Sequence, residues 1–162
     1  MPKKKENEIK VVNIRLVKEP SLYSTEPINS PDEVLKMVAG ELKTYDREVF
    51  AILNVKTNGQ PINLSICSVG TLNASLISPR EVFKSSILSN AASFIAIHNH
   101  PSGSTKPSAE DKAVTKRLQK CGDLMDIKML DHIIVAGETG EMVSFKAEGL
   151  MDISRNQIEW ER

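Results

Sequence analysis

Hydrophobic residues recur along this chain with two different spacings, which predict alternating helices and strands. Three segments have apolar residues three or four positions apart and begin at a residue that can cap a helix, a pattern typical of amphipathic helices. They are residues 30–42, 78–90 and 108–121. Short β-branched or apolar runs predict strands. They are residues 9–17, 48–55, 62–69, 72–77, 94–98, 127–136 and 142–145. Because helices and strands alternate without strict βαβ spacing, we expect an α/β (α+β) fold in which helices flank a mixed sheet.

Turn and capping residues predict where these elements begin and end. Ser30 and Ser78 each precede a proline and are followed three residues later by a glutamate, which is the capping-box pattern. Asn58-Gly59 favours a type I′ hairpin turn, and Gly122 is expected to stop the third helix. Apolar residues of the first two helices should face the core. They are Val34, Leu35, Val38, Leu42, Val82, Phe83, Ile87 and Leu88.

Length and composition are those of one globular domain. The 162 residues are 40% hydrophobic and 26% charged, which is ordinary for such a domain. We expect an N-terminal arm over residues 1–29, one domain over 30–149 and a C-terminal tail over 150–162. Lys plus Arg and Asp plus Glu both number 21. The resulting net charge of zero argues against a strongly basic surface for nucleic acids.

Cysteine usage and hydropathy indicate the compartment. Cys67 and Cys121 are far apart in sequence and form no CxxC pair, so we interpret them as reduced thiols rather than a zinc knuckle or a disulfide framework. No apolar run approaches the length that spans a bilayer, and the N-terminus lacks an apolar signal region. We therefore expect a cytoplasmic protein that makes no membrane contact.

Two histidines lie at the end of the apolar run formed by residues 92–97. His98 and His100 are followed by Pro, Ser and Gly, as expected for a buried strand that ends in a turn. Because side chains alternate along a strand, both imidazoles should project to the same side. Two imidazoles on one face with a nearby carboxylate suit a catalytic Zn²⁺ ion. Asp111, eleven residues beyond His100, is the candidate for that carboxylate.

Each of these residues can also have a purely structural role. The histidines can be solvated loop residues, and Ser108 with Asp111 resembles a capping box that only stabilises a helix start. Pro101 and Gly103 need only shape a turn. Taken singly, each residue favours the structural interpretation, whereas their combination favours a metal site.

The combined motif is His-x-His-Pro-Ser-Gly, four further residues and then Ser-x-x-Asp, and it resembles the JAMM metal site of JAB or MPN domains. The surrounding sequence is similar to the RadC family of JAB-domain proteins in particular. Five strings carry the similarity, at residues 70–73 (GTLN), 79–84 (PREVFK), 90–92 (NAA), 98–103 (HNHPSG) and 130–134 (LDHII). The resemblance runs from roughly residue 30 to 149 and implies a three-layer fold like that of cytidine deaminases.

The resemblance also implies a role for each motif residue. JAMM proteins bind zinc with the two histidines and the aspartate, which are His98, His100 and Asp111 in this chain. A water completes the tetrahedron, and this open position is what a catalytic zinc site needs. Ser108 is expected to donate its hydroxyl to the developing oxyanion. It can also cap the helix, so the two roles compete for one hydroxyl.

The family further requires an upstream glutamate that acts as general acid and base on the zinc-bound water. Glu48 stands just before the strand that follows the first helix, where JAMM domains carry this residue. Glu81 is the alternative, although its position also fits a capping box, and we favour Glu48. His132 is either a structural residue with a satisfied hydrogen bond, which we favour, or a residue that contacts a metal ligand or the substrate.

We therefore expect a zinc-dependent hydrolase of the JAMM type that cleaves a peptide, isopeptide or other amide bond in a protein or peptide substrate. A non-catalytic scaffold module and a nucleic-acid-associated metallonuclease are the alternatives. The zinc deaminase pattern, H-x-E with P-C-x-x-C, is absent. Longer RadC proteins usually carry a helix-hairpin-helix region that the first 29 residues cannot hold, although short stand-alone forms also occur on mobile elements. The historical DNA-repair label is therefore weak support, and nucleic-acid binding and oligomeric state stay open.

Overall fold

The computed structural model describes residues 27–42, 45–70, 77–137 and 139–152. Their helices and strands are α1 (Pro31–Leu42), β1 (Val49–Val55), β2 (Pro61–Val69), α2 (Pro79–Leu88), β3 (Ser93–His100), α3 (Ala109–Met125), β4 (Lys128–Ala136) and β5 (Met142–Ser144). The strand predicted at 9–17, and all but the last residue of the one predicted at 72–77, lie outside the described residues. Every other predicted helix and strand is confirmed, with shifted ends.

The five strands form one mixed sheet in the order β2-β1-β3-β4-β5. Within the described part of the chain, β3 and β4 are the parallel pair, and α3 connects them. The pairs β1–β2, β1–β3 and β4–β5 are antiparallel. The predicted α+β fold with a mixed sheet is confirmed.

Helices cover both faces of the sheet because the apolar residues of β1 alternate between two core clusters. Ala51 and Leu53 pack with the buried face of α1, while Phe50 and Ile52 pack with residues of α2 and α3. The result is a three-layer arrangement. The candidate metal-binding residues lie on its α2–α3 side. Among the described helices, none combines the length and apolar character needed to cross a bilayer.

The turn between β1 and β2 differs from the type I′ turn predicted from Asn58-Gly59. The Gly59 N–H donates to the Lys56 carbonyl over 2.9 Å, and Asn58 is not among the described residues with positive φ, whereas Gly59 has a φ of 82°. A type I turn followed by a left-handed residue is the usual three-residue hairpin. The glycine was thus the informative residue, and the asparagine needs no left-handed conformation.

Helix α1 begins as its capping pattern predicts. The Ser30 hydroxyl accepts the Glu33 N–H over 3.3 Å, and Val34, Val38 and Leu42 are buried. Leu35 is half-buried against the same cluster.

Helix α2 departs from the prediction at both ends. The Ser78 side chain makes no capping hydrogen bond, and the helix ends at Leu88 rather than near residue 90. Val82 and Phe83 are buried as expected, but Ile87 and Leu88 are 56% and 41% exposed. Helical periodicity placed these two residues on the inner face, but the last turn of α2 is not covered by the rest of the described chain.

Helix α3 runs past the expected stop at Gly122 and ends at Met125, with Asp126 in the left-handed conformation. Gly122 is buried, and a Cβ on this residue would lie 2.5 Å from the Ile127 carbonyl oxygen. The glycine therefore permits close packing between the helix and the chain that returns into β4. The sequence alone does not distinguish a glycine that allows close approach of a neighbouring backbone from a glycine that ends a helix.

Candidate metal centre

His98 and His100 project from the end of β3 onto the α2–α3 side of the sheet. The pairing of β1 with β3 explains this direction. Phe50 of β1 pairs with His98 and belongs to the core on the α2–α3 side of the sheet. His98 is 2% exposed and His100 9%, and their ring centroids are 4.5 Å apart. The predicted strand end with both imidazoles on one face is confirmed, but the imidazoles are buried rather than solvated.

The His100 ring is held by a backbone carbonyl. Its Nδ1 lies 2.7 Å from the Ser104 carbonyl oxygen, and because a carbonyl can only accept, Nδ1 carries the hydrogen. The Nε2 atom then faces Asp111, 3.5 Å from Oδ2. The contact with Asp111 raises the pKa of His100 against the lowering effect of burial.

His98 lies deeper and has no such partner. Its Nδ1 is 3.0 Å from Asp111 Oδ1, which is an ion-pair distance, yet neither ring nitrogen has a hydrogen bond of acceptable geometry within the described residues. A buried polar atom without a partner is costly. A cation bound between the imidazole and the carboxylate would satisfy one of the two nitrogens.

Asp111 is placed for both roles that the sequence left open. It completes a capping box with Ser108, in which the Ser108 N–H donates to Asp111 Oδ2 over 2.7 Å and the Asp111 N–H donates to Ser108 Oγ over 3.0 Å. The same carboxylate faces both histidines. Burial alone would raise the pKa of this carboxyl, but its contacts with His100, His98 and Ser108 hold the pKa below its ordinary value.

The capping box also changes the expected conflict over the Ser108 hydroxyl. In the cap, Oγ accepts a hydrogen bond through a lone pair, whereas an oxyanion would need the hydroxyl hydrogen. The two uses therefore employ different parts of one group and do not compete. Ser108 is exposed, so its hydrogen is open to a ligand.

Glu48 is brought to the histidines by the antiparallel pairing of β1 with β3. Phe50 pairs with His98, so the same register places Glu48 across from His100 and on the same face. Ligand atoms of Glu48, His98 and His100 all lie within 4.8 Å of one another. Glu81 lies instead on α2, exposed, with its carboxylate 3.0 Å from Lys84 Nζ. The geometry supports the choice of Glu48, although its catalytic role remains a prediction.

Asn99, between the two histidines, was not singled out by the sequence. Its side chain is buried and points to the opposite face, where Nδ2 donates to the Arg47 carbonyl over 3.0 Å and Oδ1 accepts the Val49 N–H over 2.5 Å. These two hydrogen bonds fix the backbone of the residues immediately before and after Glu48. The signal was present, because an amide side chain in an apolar strand needs partners, but the sequence could not show where they are.

We expect Asn99→Ala to destabilise the protein by about 1–3 kcal/mol, because it leaves a backbone donor and acceptor unpaired in a buried place. Thermal or urea unfolding measures this change. Asn58→Ala is the matched control, since the exposed Asn58 side chain accepts the Gln60 N–H within the turn, and it should change stability by less than about 0.5 kcal/mol. Equal effects of the two variants would contradict the role of Asn99.

His132 on β4 is fully buried next to the same site. Its ring stacks on Phe145 at a centroid distance of 4.5 Å and meets Phe50 edge-on at 5.8 Å. Its Nδ1 lies 2.6 Å from Thr115 Oγ1, while Nε2 has no partner in the described chain. Burial is the main cause that lowers the pKa of His132 to about 3, and the nearby His98 is the second. The favoured prediction of a satisfied structural histidine is therefore correct for one ring nitrogen only.

Two imidazoles and a carboxylate form a donor set that suits zinc, and they leave room for a further ligand. His98 brings an unpartnered nitrogen, His100 a nitrogen fixed by its outer hydrogen bond, and Asp111 an oxygen. With Glu48 also within 4.8 Å of both histidines, the arrangement is suited to activating a water molecule next to a carboxylate base.

Comparison with known proteins gives a consistent result. The profile of the RadC-like JAB domain matches residues 28–150. A UPF0758 protein of Clostridium acetobutylicum is 42% identical over 129 residues, which are 80% of this chain and 56% of that protein. A UPF0758 protein of Geobacillus sp. (strain WCH70) is 43% identical over 122 residues, covering 75% and 53%. One of Desulfitobacterium hafniense is 40% identical over 124 residues, covering 76% and 54%. The chain thus spans about half the length of these curated relatives.

Proposed function

Because the chain belongs to the family of RadC-like JAB domains, as its sequence indicated, we propose that it is a zinc-dependent hydrolase of a peptide, isopeptide or other amide bond. The observation that carries this proposal is the meeting of three separate chain segments. Glu48 before β1, the two histidines of β3 and Asp111 of α3 converge on one face of the sheet. A structural role for each residue alone would not require this convergence.

Each residue then has a defined task. His98, His100 and Asp111 hold the metal, and the Ser104 carbonyl and the α3 capping box keep two of these ligands in place. Bound zinc supplies a nucleophilic water at neutral pH. The Glu48 carboxylate takes the proton of the attacking water and returns it to the leaving nitrogen. Ser108 donates its hydroxyl hydrogen to the oxygen on which negative charge develops.

Zinc content tests the ligand assignment. Purified protein should hold stoichiometric zinc, and the double variant His98→Ala, His100→Ala should lose it, because the carboxylates of Asp111 and Glu48 that remain lack the imidazole nitrogens that zinc favours. The variant Cys67→Ser, Cys121→Ser is the control, since it removes the thiols and should keep the metal. Stoichiometric zinc in the double histidine variant would overturn the assignment.

Hydrolysis tests the reaction. The zinc-loaded protein, incubated with a library of internally quenched peptides and lysine isopeptides, should cleave at least one class of probe. Removing the metal with a chelator should abolish cleavage, and adding zinc back should restore it. Tight zinc binding without cleavage of any probe would contradict the proposed hydrolase while leaving the metal assignment intact.

A further inference from the structure

In each histidine of the proposed metal site, one ring nitrogen binds the metal and the other is available for a hydrogen bond. The two histidines differ in whether this second nitrogen has a partner. His100 donates its Nδ1–H to the Ser104 carbonyl oxygen. His98 has no counterpart among the described residues, although it is the more deeply buried of the two. A metal ion accounts for one nitrogen of His98. The other then carries a hydrogen that is buried and unpaired, which is unusual, since ligating histidines almost always donate this hydrogen.

His132 offers the complementary group. The Thr115 hydroxyl donates to the Asp111 carbonyl oxygen over 2.8 Å, and a hydroxyl has one hydrogen to give. The contact of 2.6 Å between Thr115 Oγ1 and His132 Nδ1 is therefore a hydrogen bond in which Nδ1 is the donor. Because His132 is only 1% exposed, burial keeps the ring neutral, and its Nε2 is left as an acceptor. That acceptor is the nitrogen without a partner.

The sheet places the two rings on the same face. His132 pairs with Ala96, and His98 pairs with Ile134, so the two histidines are diagonal neighbours on adjacent parallel strands. Their ring centroids are 6.4 Å apart and their planes are inclined by 24°. Phe50 lies against both rings, at 6.4 Å from His98 and 5.8 Å from His132. An unpaired donor and an unpaired acceptor therefore occupy one apolar compartment.

We propose that His132 is a positioning residue of the metal site. Its Nε2 accepts, through one bridging water, the N–H of the His98 nitrogen that does not bind the metal. Its Nδ1–H, through Thr115, connects the same ring to the first turn of α3, which carries Asp111. His132 thereby couples the ligand from β3 to the ligand from α3. The inference rests on the ligand assignment of the proposed function.

The expected effect is on metal affinity, because a hydrogen bond from the outer nitrogen fixes the ring and raises its basicity. His132→Phe keeps a ring of similar size between Phe50 and Phe145 but has no nitrogen. We expect it to bind zinc about 10–100-fold more weakly than the wild type, as measured by competition with a chromophoric chelator. The visible absorption of the cobalt-substituted protein should also change, since the His98 ring is no longer fixed.

Two further variants separate positioning from packing. Thr115→Val removes the hydroxyl that fixes the His132 tautomer and should weaken zinc binding, whereas Thr115→Ser keeps the hydroxyl and should restore affinity to within about threefold of the wild type. Phe145→Leu removes the ring stacked on His132 but leaves both nitrogens. It should lower the unfolding temperature of the metal-free protein while changing zinc affinity far less than His132→Phe does.

The outcomes distinguish this inference from the proposed function. If the wild-type protein holds no zinc through His98, His100 and Asp111, the proposed function itself fails. If it does, and both His132→Phe and Thr115→Val bind zinc as tightly with an unchanged cobalt spectrum, the positioning role is wrong. Should His132→Phe not fold, the Thr115→Val and Thr115→Ser pair still decides.

Discussion

Replacing Glu48 by glutamine is expected to lower the rate of amide hydrolysis by about 10²–10⁴-fold while zinc stays bound. Glutamine has the same shape as glutamate but cannot take a proton from the attacking water. The proposed zinc ligands are His98, His100 and Asp111, so metal content should not change. The rate is measured on the most readily cleaved member of the quenched probe library, together with zinc per chain.

Glu81→Gln is the matched control for this experiment. Glu81 is the alternative base that the sequence offered, but it is exposed on α2 and paired with Lys84, away from the cluster that contains Glu48. The Glu81 variant should hydrolyse the probe at close to the wild-type rate. A normal rate in Glu48→Gln together with a large loss in Glu81→Gln would show that Glu81, and not Glu48, is the general base.

Gly122→Ala is expected to destabilise the protein by roughly 1–3 kcal/mol, although alanine is the better helix former. The new Cβ would lie 2.5 Å from the Ile127 carbonyl oxygen. That atom belongs to the backbone and cannot turn aside as a flexible side chain could. Either α3 or the start of β4 must shift, and this cost exceeds the gain of about 1 kcal/mol in helix propensity.

The same substitution in α1 should have the opposite sign. Gly40 is helical and exposed, and a Cβ there meets nothing within 4 Å. Gly40→Ala should therefore stabilise the protein by about 0.5–1 kcal/mol. Urea unfolding of both variants measures the contrast. If both substitutions stabilise, Gly122 is not needed for close packing.

Local patterns predicted most of the secondary structure and three of the residues at the site. Alternation along β3 was enough to put His98 and His100 on one face, and the spacing from Ser108 to Asp111 was enough to predict the start of α3. Both features depend on residues close in sequence, where backbone geometry alone determines direction. The resemblance to a family was needed for Glu48, because the pairing of β1 with β3 joins residues about fifty positions apart.

The errors have a common physical origin in contacts that residues make outside their own helix or strand. Ile87 has the right helical spacing for burial, but whether a neighbour covers it depends on where the sheet ends. Gly122 has the right identity for a helix stop, but its environment is set by Ile127. The sequence could not show the partners of Asn99 and Thr115, because those partners lie on other parts of the chain. Periodicity reports which face of an element is apolar, not what is packed against it.

The proposed double use of Asp111 restricts which residue types can occupy this position. A histidine or a cysteine there could bind zinc but could not accept the Ser108 N–H as the carboxylate does. An asparagine could cap the helix but carries no charge to attract the cation. Each of these exchanges keeps one task and loses the other. Because the start of α3 and the proposed metal site share this side chain, an exchange to another ligand type here would also require a different start for the helix that presents it.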